Sequence, residues 1–209
     1  GTVAVVTGGN GGLGQRICHA LAAQGCHIAV VYAKSKDQAE GVAKDLQKYQ
    51  VTAATFACDV TKRDDVQKLV DDVVKRFGRL DILINDAAYN KSIPFTDLDG
   101  LTYEEWTKII DINLTGTMYL CRAVLPHLVQ SRGSIVNAAS TAALSGLPCG
   151  LAYAASKGGV LAMTRTIAVG QPSATQQRML DVVQRAQQAG VDAVRPGVAG
   201  KAVDAACRD

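Results

Sequence analysis

Tyr153-Ala154-Ala155-Ser156-Lys157 sets a phenol and an ammonium four residues apart, a spacing that puts both on one face of a helix. A cation beside a phenol favours the phenolate and lowers its pKa toward working pH, which a general acid for carbonyl reduction requires. Tyr and Lys at this spacing are also common surface neighbours, so the pair takes its meaning from what surrounds it. Upstream, Val136-Asn137-Ala138-Ala139-Ser140-Thr141 ends an apolar run and places the Ser140 hydroxyl at the carboxyl end of a strand. Asn113 stands inside a helical pattern, where Asn is a poor helix former and needs a reason to be there.

A second constellation opens the chain. Thr7-Gly8-Gly9-Asn10-Gly11-Gly12-Leu13-Gly14 fits G-x-G-x-x-G through Gly9, Gly11 and Gly14, and T-G-x-x-x-G-x-G through Gly8, Gly12 and Gly14. It follows an apolar run and opens a helical one. In that setting glycines let the backbone approach a pyrophosphate, and the helix N-terminus stabilises its charge. Gly8, Asn10, Gly12, Leu13 and Gly14 are therefore candidate cofactor contacts. An acid about twenty residues further on would hold the adenosine ribose hydroxyls. Here the second strand ends Val30-Val31-Tyr32-Ala33-Lys34-Ser35-Lys36, and the first acid is Asp37, already in the next helix. Tyr32, Lys34 and Ser35 are the candidates at this end. The lysines can accept a 2′-phosphate, which favours NADP(H) over NAD(H).

The elements that must hold these residues follow from periodicity. Strands are predicted at 2–6, 27–32, 51–57, 80–84 and 134–138. Helices are predicted at 13–23, 37–49, 63–77 and 102–128, the last a single long helix with Pro126 near its end, and a further helix carries Tyr153 and Lys157. Strands alternating with helices imply a parallel sheet covered on both faces. With right-handed crossovers the fold class is α/β, a Rossmann-like doubly wound sheet in three layers, with ligands at the carboxyl ends of the strands.

Composition bounds the function. The 209 residues are 48% hydrophobic, which suits one domain with a sizeable core. The formal charge is only +3, with Lys and Arg interspersed among Asp and Glu. No basic stripe announces nucleic acid or an anionic membrane, so a small-molecule substrate is expected. No apolar run is long enough to span a bilayer, and no secretory signal is recognisable, which points to the cytoplasm. The six cysteines form no C-x-x-C pair and the three histidines are scattered. Reduced thiols and no metal site are expected. Asn113-Leu114-Thr115 matches a glycosylation acceptor, but only a secreted chain would use it.

TGGNGGLG at 7–14, CDVT at 58–61, NDAA at 85–88, INLTG around Asn113, Ser140 and YAASK at 153–157 together resemble the short-chain dehydrogenase/reductase family over residues 2–170. The resemblance implies NAD(P)-dependent interconversion of a carbonyl and an alcohol by hydride transfer, with Tyr153 as proton donor or acceptor. Lys157 would lower the pKa of Tyr153 and bind the nicotinamide ribose, and Ser140 would hold the substrate oxygen. Asn113 would anchor a water-linked proton relay. Asp59 and Val60 would lie beside the adenine, and Asn85 and Ala87 near the adenosine side of the cofactor. NDAA departs from the family's usual NNAG at Asp86 and Ala88, where a local perturbation is expected. The stretch after the second strand looks like that of NADP-using carbonyl and 3-oxoacyl reductases. By analogy, the helices at 102–128 and 153–170 imply a homo-oligomer, dimer or tetramer.

After Gly170 the pattern changes. Residues 1–170 read as the dinucleotide-binding catalytic domain and 171–209 as an atypical tail that is not a domain of its own. Family members continue into a sixth strand, a Pro-Gly turn, a substrate-covering segment and a seventh strand. Here only 190–197 resembles a degenerate sixth strand and turn. Residues 177–209 instead resemble the opening of the catalytic domain of pita-bread metallopeptidases, the Xaa-Pro and methionine aminopeptidases, without their metal ligands. An alternative function follows, that of a cofactor-binding but catalytically incompetent truncated or hybrid chain. A sheet ending at its fifth or an improvised sixth strand would expose an edge unless the tail or another subunit covers it.

Overall fold

The computed structural model describes residues 1–94, 96–145, 149–166 and 192. Five strands, β1 (Val3–Thr7), β2 (His27–Tyr32), β3 (Ala53–Ala57), β4 (Ile82–Asn85) and β5 (Ser134–Asn137), form one parallel sheet in the order β3-β2-β1-β4-β5. Between them run α1 (Gly12–Ala23), α2 (Lys36–Leu46), α3 (Arg63–Phe77), α4 (Tyr103–Ile110) and α5 (Gly116–Ser131), with α6 (Ala142–Ser145) and α7 (Leu151–Thr166) after β5. This is the Rossmann-like, doubly wound α/β architecture.

Side-chain alternation divides the core into two layers. Val3 and Val5 of β1, Ala29 and Val31 of β2 and Leu83 of β4 face α3 and α5, meeting Val66, Leu69, Val73, Leu120 and Val124. Ala4, Val6, Ile28, Val30 and Ile84 point the other way, onto Cys18 and Ala22 of α1 and Val42 and Leu46 of α2. A strand buried on both faces has no place for a polar residue until its end, which is why β1 reads VAVVT and is buried throughout. α3 shows its contribution in sequence: Val66, Leu69, Val70 and Val73 are buried at helical spacing, and Gly78 closes the helix with a left-handed φ of 77°.

One carboxylate fixes the bottom of the sheet. Asp81 Oδ2 accepts from the Val3 N–H at 2.9 Å and from Arg79 Nε at 2.8 Å, while Oδ1 accepts from Arg79 Nη2 at 2.6 Å. Burial alone would raise the Asp81 carboxyl, but the hydrogen bonds from Arg79 and Val3, with the Arg79 charge, hold it below the usual carboxylate range. A carboxyl depressed on folding adds stability that is complete above its unfolded pKa and is lost as pH falls through the folded value. Asp81→Asn is therefore expected to cost about 2 kcal/mol at neutral pH. Denaturant melts should show the gap from the parent closing as pH falls below the ordinary carboxylate range.

Several element limits shift by a few residues from those predicted, and two departures matter for the site. β4 enters the sheet at Ile82, after the buried Leu80 and Asp81. The single long helix expected at 102–128 is two α-helices joined by a π turn at Asp111–Thr115. The 3.6-residue pattern continues through such a turn and so conceals it. At the other edge, β5 is the outer strand among the described residues, and Val136 on it is 52% exposed. Apart from residue 192, the candidate sixth strand at 190–197, the tail at 171–209 and its metallopeptidase-like segment lie outside the described residues.

Candidate active site

The chain leaves β1 toward β2 and β3 on one side and returns to β4 on the other. Such a reversal opens a crevice at the carboxyl ends of the two central strands. Thr7, the last residue of β1, closes its floor: its Oγ1 accepts from the backbone N–H groups of Asp86 and Ala87, each at 3.1 Å. Gly8 then turns the chain with φ +64°, and its carbonyl accepts from Gly11 N–H at 2.8 Å. α1 starts at Gly12 with Gly11 as N-cap and no side-chain capping bond. The orphan N–H groups and positive dipole end of α1 are thus left to a ligand.

A cavity of about 1260 Å³ spreads from this loop. Of the cofactor contacts expected from sequence, Gly8, Asn10, Leu13, Tyr32, Lys34, Ser35, Asp59, Val60 and Ala87 line it. Gly12 and Gly14 lie in the first turn of α1, where Gly14 packs against the Gly8 backbone. Leu13 is 58% exposed at the mouth, an apolar side chain with something to gain from a ligand. Asp59 is organised by Thr61, whose Oγ1 and N–H donate to it at 2.7 and 3.1 Å. The Thr61 hydroxyl chiefly holds that carboxyl low, so Asp59 is ionised at neutral pH. Lys34 is exposed and makes no ion pair among the described residues. This set of an uncapped helix end, a hydrogen-bonding carboxylate and a free cation fits a dinucleotide. Tyr89, Tyr103 and Lys108, which sequence reasoning did not single out, extend the wall toward α4, with Lys108 Nζ 4.0 Å from the Tyr89 ring centre.

α7 brings the second constellation to the same sheet edge. Tyr153 is partly buried, and Lys157, one turn on, is 4% exposed with its Nζ 5.8 Å from the Tyr153 ring centre. The Lys157 ammonium donates to the Ala138 carbonyl, just beyond β5, at 2.6 Å. Burial pulls the Lys157 pKa down, and the charge of Asp86 pushes it back up. Burial likewise raises the Asp86 carboxyl, with Lys157 opposing. Ser140 opens α6: its Oγ accepts from Ala142 N–H at 3.2 Å and its carbonyl from Ala143 N–H at 3.1 Å.

Asn113 sits in the π turn and is 1% exposed, closed to a glycosylating enzyme. Its Oδ1 accepts from Tyr89 N–H at 2.7 Å, and its Nδ2 donates to the Tyr89 carbonyl at 2.9 Å and to Ser156 Oγ at 3.1 Å. Its carbonyl accepts from Thr117 Oγ1 at 2.8 Å. The side chain thus clamps the chain leaving β4 to the helix that carries Tyr153 and Lys157. Asn85 turns away from the cavity: its Nδ2 donates to Asn137 Oδ1 at 2.8 Å, and Asn137 Nδ2 donates to Thr164 Oγ1 at 2.9 Å. This polar rung from β4 through β5 to α7 fixes the same helix from its other end. Thr7, Asn137 and Ser156 escaped sequence reasoning, and their signal is a small polar residue where a buried run ends or a helix turns inward.

Among the described residues no cluster of three or more His, Cys, Asp or Glu could hold a metal ion, and no helix is long and apolar enough to cross a membrane. Cys18, Cys26, Cys58 and Cys121 are buried free thiols, and burial pushes those of Cys18 and Cys58 up to about 12.

Residues 2–174 match the family model of the short chain dehydrogenases. The chain is 36% identical over 166 residues to the 3-oxoacyl-acyl-carrier-protein reductase FabG of Staphylococcus epidermidis, covering 79% of this chain and 67% of that protein. It is 36% identical over 171 residues to the L-fucose dehydrogenase of Oryctolagus cuniculus, covering 82% and 58%. Among solved structures, the alcohol dehydrogenase of Thermococcus sibiricus complexed with 5-hydroxy-NADP superposes with a TM-score of 0.73 at 30% identity, covering 79% of this chain and 69% of that one. The chain spans 58% to 67% of the length of the curated relatives it matches first. On the family match over residues 2–174 and the similarity to these relatives, the chain belongs to the short chain dehydrogenase family.

Proposed function

We propose that this chain is an NAD(P)-dependent oxidoreductase that interconverts a carbonyl and an alcohol on a small molecule, with Tyr153 as the proton donor and acceptor. The observation that carries the reading is Lys157, buried at the carboxyl edge of the sheet with its ammonium beside the Tyr153 ring. A bound nicotinamide supplies the hydride. The chain supplies everything else. In reduction the Tyr153 hydroxyl gives its proton to the substrate oxygen as that oxygen gains negative charge, and in oxidation it takes the proton back. Lys157, held by the Ala138 carbonyl, keeps its ammonium beside the Tyr153 ring. Ser140 Oγ, at the head of α6, orients the substrate oxygen. Asn113 keeps the Tyr153 helix in register with the cofactor wall rather than facing the cavity itself.

NADP(H) is the preferred cofactor in this reading. Lys34 and Ser35 stand where a ribose-holding acid would otherwise be, and among the described residues Lys34 pairs with no carboxylate. The test is thermal unfolding of the full chain alone, with NADP⁺ and with NAD⁺, followed by NADPH oxidation over a panel of ketones and aldehydes. A ligand at a hundred times its Kd adds about 2.7 kcal/mol to the folded state. The expected result is a larger rise with NADP⁺, and Lys34→Ala weakening NADP⁺ roughly tenfold with NAD⁺ little changed. No rise with either nucleotide would overturn the reading. A rise without turnover on any carbonyl would favour a cofactor-binding chain that does no chemistry.

A further inference from the structure

Lys157 has three N–H donors to satisfy, lies in an almost fully buried position, and has one protein acceptor among the described residues, the Ala138 carbonyl. A buried ammonium held by a single neutral dipole is in an expensive position, and such groups are normally paired or give up their charge. The strand register shows what lies beside it. Asn85 of β4 pairs with Asn137 of β5, and Ala138 N–H donates back to the Asn85 carbonyl at 2.9 Å. Asp86 and Ala138 are therefore the next residues on two adjacent parallel strands, roughly 5 Å apart along the hydrogen-bonding direction. The carbonyl that holds the cation thus stands opposite Asp86, with no direct ion pair between the Asp86 and Lys157 side chains. Asp86 is itself held in place, its N–H donating to Thr7 Oγ1 at 3.1 Å, and it lines the cavity.

We propose that Asp86 is a positioning residue for Lys157: its carboxylate, at the carboxyl end of β4, is the counter-charge that keeps the Lys157 ammonium docked on the Ala138 carbonyl. The other groups around the pair do not take this part. α7 contributes Tyr153, which is neutral until it loses its proton. β5 contributes the Ala138 carbonyl, a dipole without net charge. α1 contributes Cys18, whose thiol burial pushes up, with the Asp86 charge adding to it, and so keeps protonated. The mutual effect of Asp86 and Lys157 on each other's protonation agrees with the geometry. A carboxylate here, in place of an amide, makes the retention of charge on Lys157 a property of the pair.

The test follows the Nζ resonance of Lys157 in the full chain labelled with ¹⁵N-lysine, assigned from its absence in Lys157→Arg. It is titrated without nucleotide or substrate in the parent and in Asp86→Asn, which keeps the shape and removes the charge. The expected result is a titration midpoint at lower pH in Asp86→Asn, while Asp86→Glu stays close to the parent. A residue with only a structural role would lower the unfolding temperature and leave the midpoint where it was, and that outcome overturns the proposal. Should Asp86→Asn fail to fold, the reciprocal measurement decides: in Lys157→Met the Asp86 carboxyl, followed by ¹³C, must titrate at higher pH, and an unchanged value overturns the proposal equally. Because neither titration involves hydride transfer, failure here leaves the oxidoreductase reading standing, and failure of that reading leaves this one.

Discussion

Tyr153→Phe is expected to remove carbonyl reduction while leaving the nucleotide-induced rise in unfolding temperature intact. The substitution deletes one oxygen from a partly buried ring and leaves the packing of α7 on its neighbours unchanged. What disappears is the proton at the place where the substrate oxygen becomes an alkoxide, and a positioned general acid contributes about 10² to 10⁴ in rate. Turnover of a ketone by the parent and the variant, at saturating NADPH, measures the loss as kcat. A nucleotide titration of the same samples shows that the site still forms. A variant with a parental kcat would place the proton donor elsewhere and would deprive the Tyr-Lys spacing of its meaning. Lys157→Met should behave differently, since it removes charge as well as a hydrogen bond to Ala138.

Gly14→Ala carries the second large effect, and it falls on the fold as well as on binding. A methyl group built on Gly14 overlaps the Gly8 carbonyl and comes within 2.9 Å of the Gly9 Cα. All of that is backbone, and Gly8 is already committed to a left-handed turn, so there is no flexible end to move aside. Overpacking of this kind costs typically 1–3 kcal/mol, here about 3, and the displaced loop no longer presents the end of α1 to a pyrophosphate. Gly12→Ala is the informative companion. Nothing lies within 4 Å of a methyl group at Gly12, and Ala is the better helix former by about 1 kcal/mol. It should keep or gain stability yet lose the rise with NADP⁺, because the added carbon occupies the space a phosphate approaches. Urea melts with and without nucleotide separate the two. Equal behaviour of the variants would mean that the loop is read wrongly.

Much of this was legible beforehand, for reasons that can be given residue by residue. β2 at His27–Tyr32 and α3 at Arg63–Phe77 match their predicted limits, because a strand buried on both faces and an amphipathic helix each write their period into the chain. Lys34 and Ser35 were found by what was missing after β2, an acid. The role of Asn113 was not legible. Its place in a helix signalled something unusual, but its partners, the Tyr89 backbone and Ser156, lie 24 and 43 residues away, and no local pattern connects them. Asn85 shows the converse. A motif set it near the cofactor, whereas its amide is spent on Asn137 beneath the cavity floor. Thr7 stands in the sequence only as the first letter of the glycine motif and is given no part, yet its hydroxyl serves both N–H groups that follow β4. Contacts between strand ends depend on sheet order, and sheet order is written nowhere in particular.

The π turn at Asp111–Thr115 also sets what kinds of change this chain can tolerate. The rod it interrupts serves two different neighbours, α4 packing against α7 and α5 against α3. Each residue added to or taken from a helix turns everything beyond it by about 100° and shifts it by 1.5 Å. A deletion at the turn would straighten the helix. It would also swing Leu120 and Val124 out of the core and pull Asn113 off Tyr89, although no residue of either contact had been replaced. Substitutions here are thus judged one side chain at a time, whereas insertions and deletions are judged by the whole of α5. The segment's length is a tighter constraint than its composition.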